Sequence, residues 1–253
     1  MTDSISSLNG QWALITGSSS GIGRSIALEF ASAGANVIVH GFRKHQAAEQ
    51  LAENLRSHGV ESKVLLADLS TSVGVEQLID QAWQLSPLDI LVNNAGVDVL
   101  TGDAADRSFA QKLTSLWQVD VAATMELSRT IGARMQARGS GVILNIGWDQ
   151  AARGMEGDSG QLFAATKGAV MAFTSSLAKS LAPEVRVNCI APGWIKTDWG
   201  EEASEYWQQR AIDESLLQRW GTPADVAQAA RFLVSPQASF VTGQTLNVNG
   251  GHR

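Results

Sequence analysis

Apolar and polar positions along the chain switch repeatedly between two rhythms. Trp12-Ala-Leu-Ile-Thr16 is a short, almost wholly apolar run that ends at a glycine-rich turn. Ile22, Ile26, Ala27, Phe30 and Ala33 then recur at helical spacing, and Gly34 supplies the stop. The unit repeats. Residues 36–40 read as a second strand and 46–58 as a helix closed by Gly59. Residues 62–67 and 73–85 form the next strand and helix, before Pro87. Residues 89–92 make a fourth strand, followed by a long helix over about 108–137. A fifth strand at 141–146 precedes a helix over about 159–181, stopped near Pro183. Residues 185–190 and 244–248 read as the sixth and seventh strands.

Strands without polar alternation are buried on both faces, as in parallel sheets covered by helices. Right-handed crossovers then wind the sheet doubly. The expected fold is α/β, a doubly wound sheet of seven parallel strands in a single domain over residues 1–253. No repeat, low-complexity tract or Pro/Ser-rich linker divides it. The one sizeable departure from alternation is Thr197 to Arg219, which is polar, charged and Trp-containing. This insertion, about 197–220, reads as a helical lid before the helix opened by Thr222-Pro-Ala-Asp225.

Composition narrows the class. With 44% hydrophobic residues the 253-residue chain can build a sizeable core. A formal net charge of −6 argues against nucleic acid or an anionic membrane as partner, since both want a basic face. No apolar run approaches the ~18 residues of a membrane span. Met1-Thr-Asp-Ser-Ile-Ser-Ser7 lacks the basic and apolar regions of a secretory leader. Cys189, the only cysteine, excludes an intrachain disulfide and reads as a buried strand thiol. A reducing, cytoplasmic compartment is expected. His40, His45, His58 and His252 are scattered without metal-ligand spacing, so no metal is expected.

Thr16-Gly-Ser-Ser-Ser-Gly-Ile-Gly23 joins the first strand to the first helix. Gly17, Gly21 and Gly23 let backbone turn tightly and approach a pyrophosphate, which the helix N-terminus then attracts. A tight strand–helix connection with no ligand would use the same residues. The rest of the chain adds further motifs: Asp68-Leu69 after the third strand, Asn93-Asn-Ala-Gly96 after the fourth, and Ala191-Pro-Gly-Trp-Ile-Lys-Thr197 after the sixth. Arg219 to Val226 and Thr242 to Gly251 complete them. With these motifs nearly the whole chain resembles the short-chain dehydrogenase/reductase family. The resemblance implies a Rossmann-type fold and a bound NAD(P)(H). It places Gly17, Ser19, Gly21, Ile22, Gly23 and Thr197 at the phosphates, and Asp68 and Leu69 at the adenine. Asn94, Ala95 and Gly96 line the adenosine side, Pro192, Gly193 and Ile195 meet the nicotinamide, and Lys167 meets its ribose.

Gly41 stands where an acidic residue would bind the ribose diol, and Arg43 and Lys44 follow. A guanidinium suits a 2′-phosphate, so NADP(H) is favoured over NAD(H). The alternative is that Arg43 and Lys44 are solvated residues at a helix start.

The family pairs hydride transfer with proton transfer from a Tyr phenol, aided by a Lys, a Ser hydroxyl and a helical Asn. Phe163-Ala-Ala-Thr-Lys167 matches the Tyr-x-x-x-Lys pattern with Phe in the Tyr place. Trp148 follows Asn145-Ile-Gly where the Ser is expected, and Asp120 corresponds to the Asn. Of the four polar positions only Lys167 is retained. Asp149 and Ser159 flank the site as possible substitutes in acid/base work, while Asp158 and Ser159 also suit helix capping. Trp148, Trp194, Trp199 and Trp207 either wall a pocket for a flat or apolar ligand or pack the lid and subunit contacts.

Three functional readings stand. The first is an NADP-dependent oxidoreductase on a small carbonyl or alcohol, with non-standard catalytic residues. The second is a nucleotide-binding pseudoenzyme. The third is non-redox lyase or isomerase chemistry on the same scaffold, with Asp149 or Asp158 as base. The helices near 108–137 and 159–181 resemble the family's dimerising pair, which implies a homodimer or homotetramer.

Overall fold

The computed structural model describes residues 7–253; residues 1–6, where no leader is read, lie outside it, as do the side chains of residues 198 and 199. Seven strands form one parallel sheet in the order β3-β2-β1-β4-β5-β6-β7. They are β1 (Trp12–Ile15), β2 (Asn36–Gly41), β3 (Ser62–Leu66), β4 (Ile90–Asn93), β5 (Gly141–Ile146), β6 (Val185–Pro192) and β7 (Thr245–Val248). This is the expected doubly wound, Rossmann-type single domain.

Side chains leave a strand alternately to its two faces, so each strand feeds two cores. Ile15, Val37, Val39, Ile90 and Val92 pack with α1 (Gly21–Ser32), α2 (His45–Arg56) and α9 (Pro223–Val234). Leu14, Ile38, Leu91 and Ile143 pack on the other side with α3 (Ser72–Leu85), α5 (Thr124–Arg138) and α6 (Gly157–Leu181). Burying one such aliphatic side chain is worth about 1.5–3 kcal/mol. Both layers are needed because the strands are apolar on both faces.

Three local differences from the sequence reading have physical causes. The helix expected over 108–137 is α4 (Phe109–Leu116), a π-helical stretch (Trp117–Ala123) and α5. α6 begins at Gly157 with Glu156 as N-cap and no side-chain capping bond, so Asp158 and Ser159 lie in its first turn instead of capping it. β6 runs on to Pro192 because Ala191 and Pro192 still pair with Asn247 and Val248. The 197–220 insertion contains α7 (Asp198–Glu202) and α8 (Glu205–Glu214).

The strand order turns around between β1 and β4. Loops leaving their carboxyl ends part there, which opens the crevice where doubly wound folds bind ligands. The glycine-rich turn and Asn93–Gly96 are the two loops concerned.

Candidate active site

Gly17 and Gly21 have φ of +63° and +57°, a region that glycine enters freely. A Cβ on Gly17 would stand 2.8 Å from the Ala95 Cα, and one on Gly23 would strike the Asn94 side chain. The turn after β1 therefore lies directly on the loop after β4. Asn94 braces this contact: its amide donates to the Thr16 and Gly17 carbonyls at 3.0 and 3.1 Å. Thr16 Oγ1 accepts from the Asn94 and Ala95 N–H groups, both at 3.0 Å. Asn94 thus braces the crevice on the side where the resemblance expects the adenosine. Ser20, the N-cap of α1, gives its side chain to no first-turn N–H. Those N–H groups and the helix dipole remain available to a diphosphate. The cradle fits a dinucleotide.

His40 has no role in the sequence reading, yet it sits beneath this turn, 3% exposed. Its Nδ1 accepts from the Gly17 N–H at 3.1 Å, and Nε2 lies 3.2 Å from the Ala67 carbonyl. Burial lowers its pKa to about 4, against the Ala67 bond, which raises it. The only sequence signal for it is a polar residue directly after the apolar run Val37-Ile-Val39.

At the end of β2, Gly41 offers no carboxylate, and a Cβ there would lie 3.8 Å from that of Ser19. Arg43 is exposed, its guanidinium 5.4 Å from the Phe42 ring centre. Asp68 Oδ1 accepts from the Ser70 N–H and hydroxyl at 2.9 and 2.7 Å, beside buried Leu69. Ile22 is half-buried at the first turn of α1. Beyond Pro192, Gly193 N–H donates to Val248 O at 3.1 Å, and Ile195 bridges Gly221. The Thr197 methyl lies 3.8 Å from where a Gly21 Cβ would be, so the segment after β6 closes onto the turn.

Lys167 Nζ and Asp120 Oδ2 form a buried ion pair at 2.9 Å, 14% and 2% exposed. Asp120 belongs to the π-helical stretch, a feature that recurs at functional sites. Its Oδ1 accepts from the Val97 N–H at 3.0 Å. A Cβ on Gly96 would stand 2.9 Å from Oδ2, so Gly96 gives the carboxylate its room. Ser159, Phe163 and Lys167 are successive i, i+4 positions on one face of α6. The Phe163 ring meets Trp148 edge to face, centroids 6.2 Å apart. It also packs on Val99, Leu116 and Leu162. The structure thus brings Lys167, Asp120, Gly96, Phe163 and Trp148 together.

Asp149 is directed elsewhere. Its Oδ2 accepts from Asn249 at 2.9 Å and Arg153 at 3.2 Å, on the Gly193 side. Burial raises its pKa, against those two bonds. Of the two readings of the tryptophans, lid packing fits Trp194 and Trp207, and a shared pocket wall does not. Trp194 lies 5.6 Å from Trp207 and 6.0 Å from Trp220, and its Nε1 donates to Glu214 at 2.7 Å. These rings pack α8 onto the loop after β6, where Trp220 Nε1 also donates to Gln208 O at 3.2 Å. Only Trp148 joins Phe163, and the Trp199 side chain is outside the described ones. Arg210 fastens α8 across to the start of α6, pairing with Glu156 and with Glu214 at 2.6 Å each. Among the described residues no three His, Cys, Asp or Glu cluster as a metal site, and no helix is long and apolar enough to cross a membrane.

Residues 17–253 match the family model described as enoyl-(acyl carrier protein) reductase. The chain is 36% identical over 255 residues to the 3-oxoacyl-[acyl-carrier-protein] reductase FabG of Aquifex aeolicus, covering 96% of this chain and 98% of that one. Among solved structures it resembles a 7α-hydroxysteroid dehydrogenase complexed with NADH and 7-oxo glycochenodeoxycholic acid. That match has a TM-score of 0.88 and 34% identity, over 98% and 96% of the two chains. It also resembles a 3-oxoacyl (acyl-carrier-protein) reductase from Agrobacterium tumefaciens with NADP bound, at TM-score 0.89 and 31% identity over 100% and 98%. With the crevice, the turn and nearly full-length matches in agreement, the chain belongs to the short-chain dehydrogenase/reductase family of NAD(P)-dependent oxidoreductases.

Proposed function

We propose that this protein is an NADP(H)-dependent oxidoreductase acting on a carbonyl or alcohol, with the Lys167–Asp120 pair replacing the family's phenol-centred proton donor. The buried ion pair at 2.9 Å carries the reading. When bound, the nicotinamide supplies the hydride for carbonyl reduction. The turn of Gly17, Ser19, Gly21, Ile22 and Gly23, with Thr197 above it, holds the diphosphate: Gly17 shapes the backbone, and the N–H groups at the start of α1 face the anion. Asp68, Leu69, Asn94, Ala95 and Gly96 form the adenosine side, and Pro192, Gly193 and Ile195 the nicotinamide side. Gly41 leaves room at the ribose and Arg43 offers a fork for a 2′-phosphate, which favours NADP(H).

In this reading Phe163 and Trp148 occupy the places of the Tyr and the Ser. Neither can protonate an alkoxide, although both keep water from the reacting carbon. Lys167 then donates a proton from Nζ to the substrate oxygen and regains it from solvent, while Asp120 fixes the ammonium. Ser159, on the same face, is a candidate for orienting a bridging water. The 197–220 segment acts as the lid. An acidic chain with one buried cysteine fits the cytoplasm, and the outer face of α5 fits a homodimer or homotetramer.

The test is NADPH and NADH oxidation against carbonyls drawn from the relatives' substrates: a 3-oxoacyl thioester and a 7-oxo bile acid. Turnover should fall roughly 10²–10⁴-fold in Lys167→Ala. No oxidation above background with any carbonyl, despite tight nucleotide binding, would establish the pseudoenzyme reading. The edge-to-face closure of Trp148 on Phe163 is what favours that second reading. Catalysis that persists without nucleotide would point to the non-redox one.

A further inference from the structure

We propose that His40, as the neutral Nε2–H tautomer, is the positioning residue of the dinucleotide turn. The assignment follows from its two partners. The Gly17 N–H can only donate, so Nδ1 must offer its lone pair at 3.1 Å. The Ala67 carbonyl can only accept, so Nε2 must carry the proton at 3.2 Å. One tautomer alone satisfies both. A cationic ring would set N–H against N–H, and burial, which lowers the pKa to about 4, keeps it neutral.

Two further bonds join the same pair of elements. Ser18 N–H donates to His40 O at 3.0 Å, and His40 N–H donates to Ser18 Oγ at 3.1 Å. Ser18 Oγ in turn donates to Ile15 O at 2.9 Å. The N–H groups of Gly17 and Ser18 are therefore turned inward, onto β2. That leaves the N–H groups at the start of α1 facing the crevice, where a diphosphate would sit. Gly17 holds a φ of +63°, which only a fixed hydrogen-bond pattern makes unique for so permissive a residue. The ring of His40 thereby sets the shape of the anion cradle from behind, touching no ligand itself.

The proposal rests on the reading of the turn as a nucleotide site. The two ring bonds can be separated by substitution. In His40→Asn the amide oxygen replaces Nδ1 as acceptor for Gly17, while the bond to Ala67 is lost. In His40→Gln the amide nitrogen reaches for Ala67, and the Gly17 N–H is left unpaired. Titration calorimetry with NADP⁺ and NAD⁺ on the full chain reads the effect, with thermal unfolding of the nucleotide-free protein alongside. Affinity should stay within about twofold of wild type in His40→Asn and fall roughly tenfold in His40→Gln. Equal losses in both, or losses that follow melting temperature across the variants, would overturn the positioning role. The ring ¹⁵N shifts of His40 in the wild-type protein provide a measurement independent of substitution. A proton on Nδ1 at neutral pH would overturn the proposal even if a variant fails to fold. A wild-type chain that binds neither nucleotide but shows the Nε2–H form would sink the functional reading and leave His40 with a structural role only.

Discussion

Lys167 and Asp120 stand 47 residues apart in sequence and meet at 2.9 Å. Removing one partner of a buried ion pair leaves an uncompensated charge, at a cost of about 3–5 kcal/mol. Asp120→Ala should therefore destabilise the protein by about 3 kcal/mol or more in urea unfolding. The double variant Asp120→Ala with Lys167→Met should recover much of that loss. If the single variant costs under about 1 kcal/mol, the pair is too well hydrated to act as a fixed proton donor. Lys167 itself is legible in the sequence because Phe163-Ala-Ala-Thr-Lys167 resembles the family's Tyr-x-x-x-Lys pattern. Its pairing with Asp120 is not, since a π-helical turn breaks the 3.6-residue rhythm by which facing positions are counted. His40 is equally hidden: both of its ring partners are backbone groups, which leave no mark on side-chain pattern.

Among the elements, the seven strands and the main helices can be read from apolar periodicity, because each core layer demands it. Their ends depend on distant partners. β6 outruns its apolar pattern only where β7 continues to pair with it. The 197–220 segment reads as an insertion for the opposite reason, since its polar rhythm matches no core face. Arg210 pairs with Glu156 and Glu214, and its guanidinium lies 5.2 Å from the Trp207 ring centre. Glu156 is largely exposed, so its pair is screened and of little worth alone. Arg210 nonetheless joins three groups with one side chain. Arg210→Ala should speed amide hydrogen exchange across α8 about tenfold or more, while β1, β4 and β5 stay protected. Unchanged exchange in α8 would mean that the Trp194–Trp207–Trp220 packing alone holds it, and that the segment is no opening lid.

At the scale of the whole molecule, the sheet is covered on both faces but α5 keeps an uncovered side. Ala122, Met125, Glu126, Arg129, Ala133 and Arg134 line an open groove of about 630 Å³ along it. Trp117, which opens the π-helical stretch that contains Ala122, is 48% exposed. An exposed indole near an open helical groove favours a second copy packed across a two-fold axis, where each helix fills the groove of the other. Light scattering after size exclusion should then give a mass that is a multiple of 26.9 kDa. Ala133→Arg with Met125→Glu should shift it towards the single-chain mass without lowering the melting temperature of the fold by itself. A wild-type monomer at micromolar concentration would refute the assembly. The outcome bears on the site as well. Trp117 opens the π-helical stretch that carries Asp120, so a partner seated there would stiffen the backbone that holds the carboxylate against Lys167. The dissociated variant should therefore lose turnover more than nucleotide affinity, because the turn beneath the diphosphate lies on β1 and β2, away from α5.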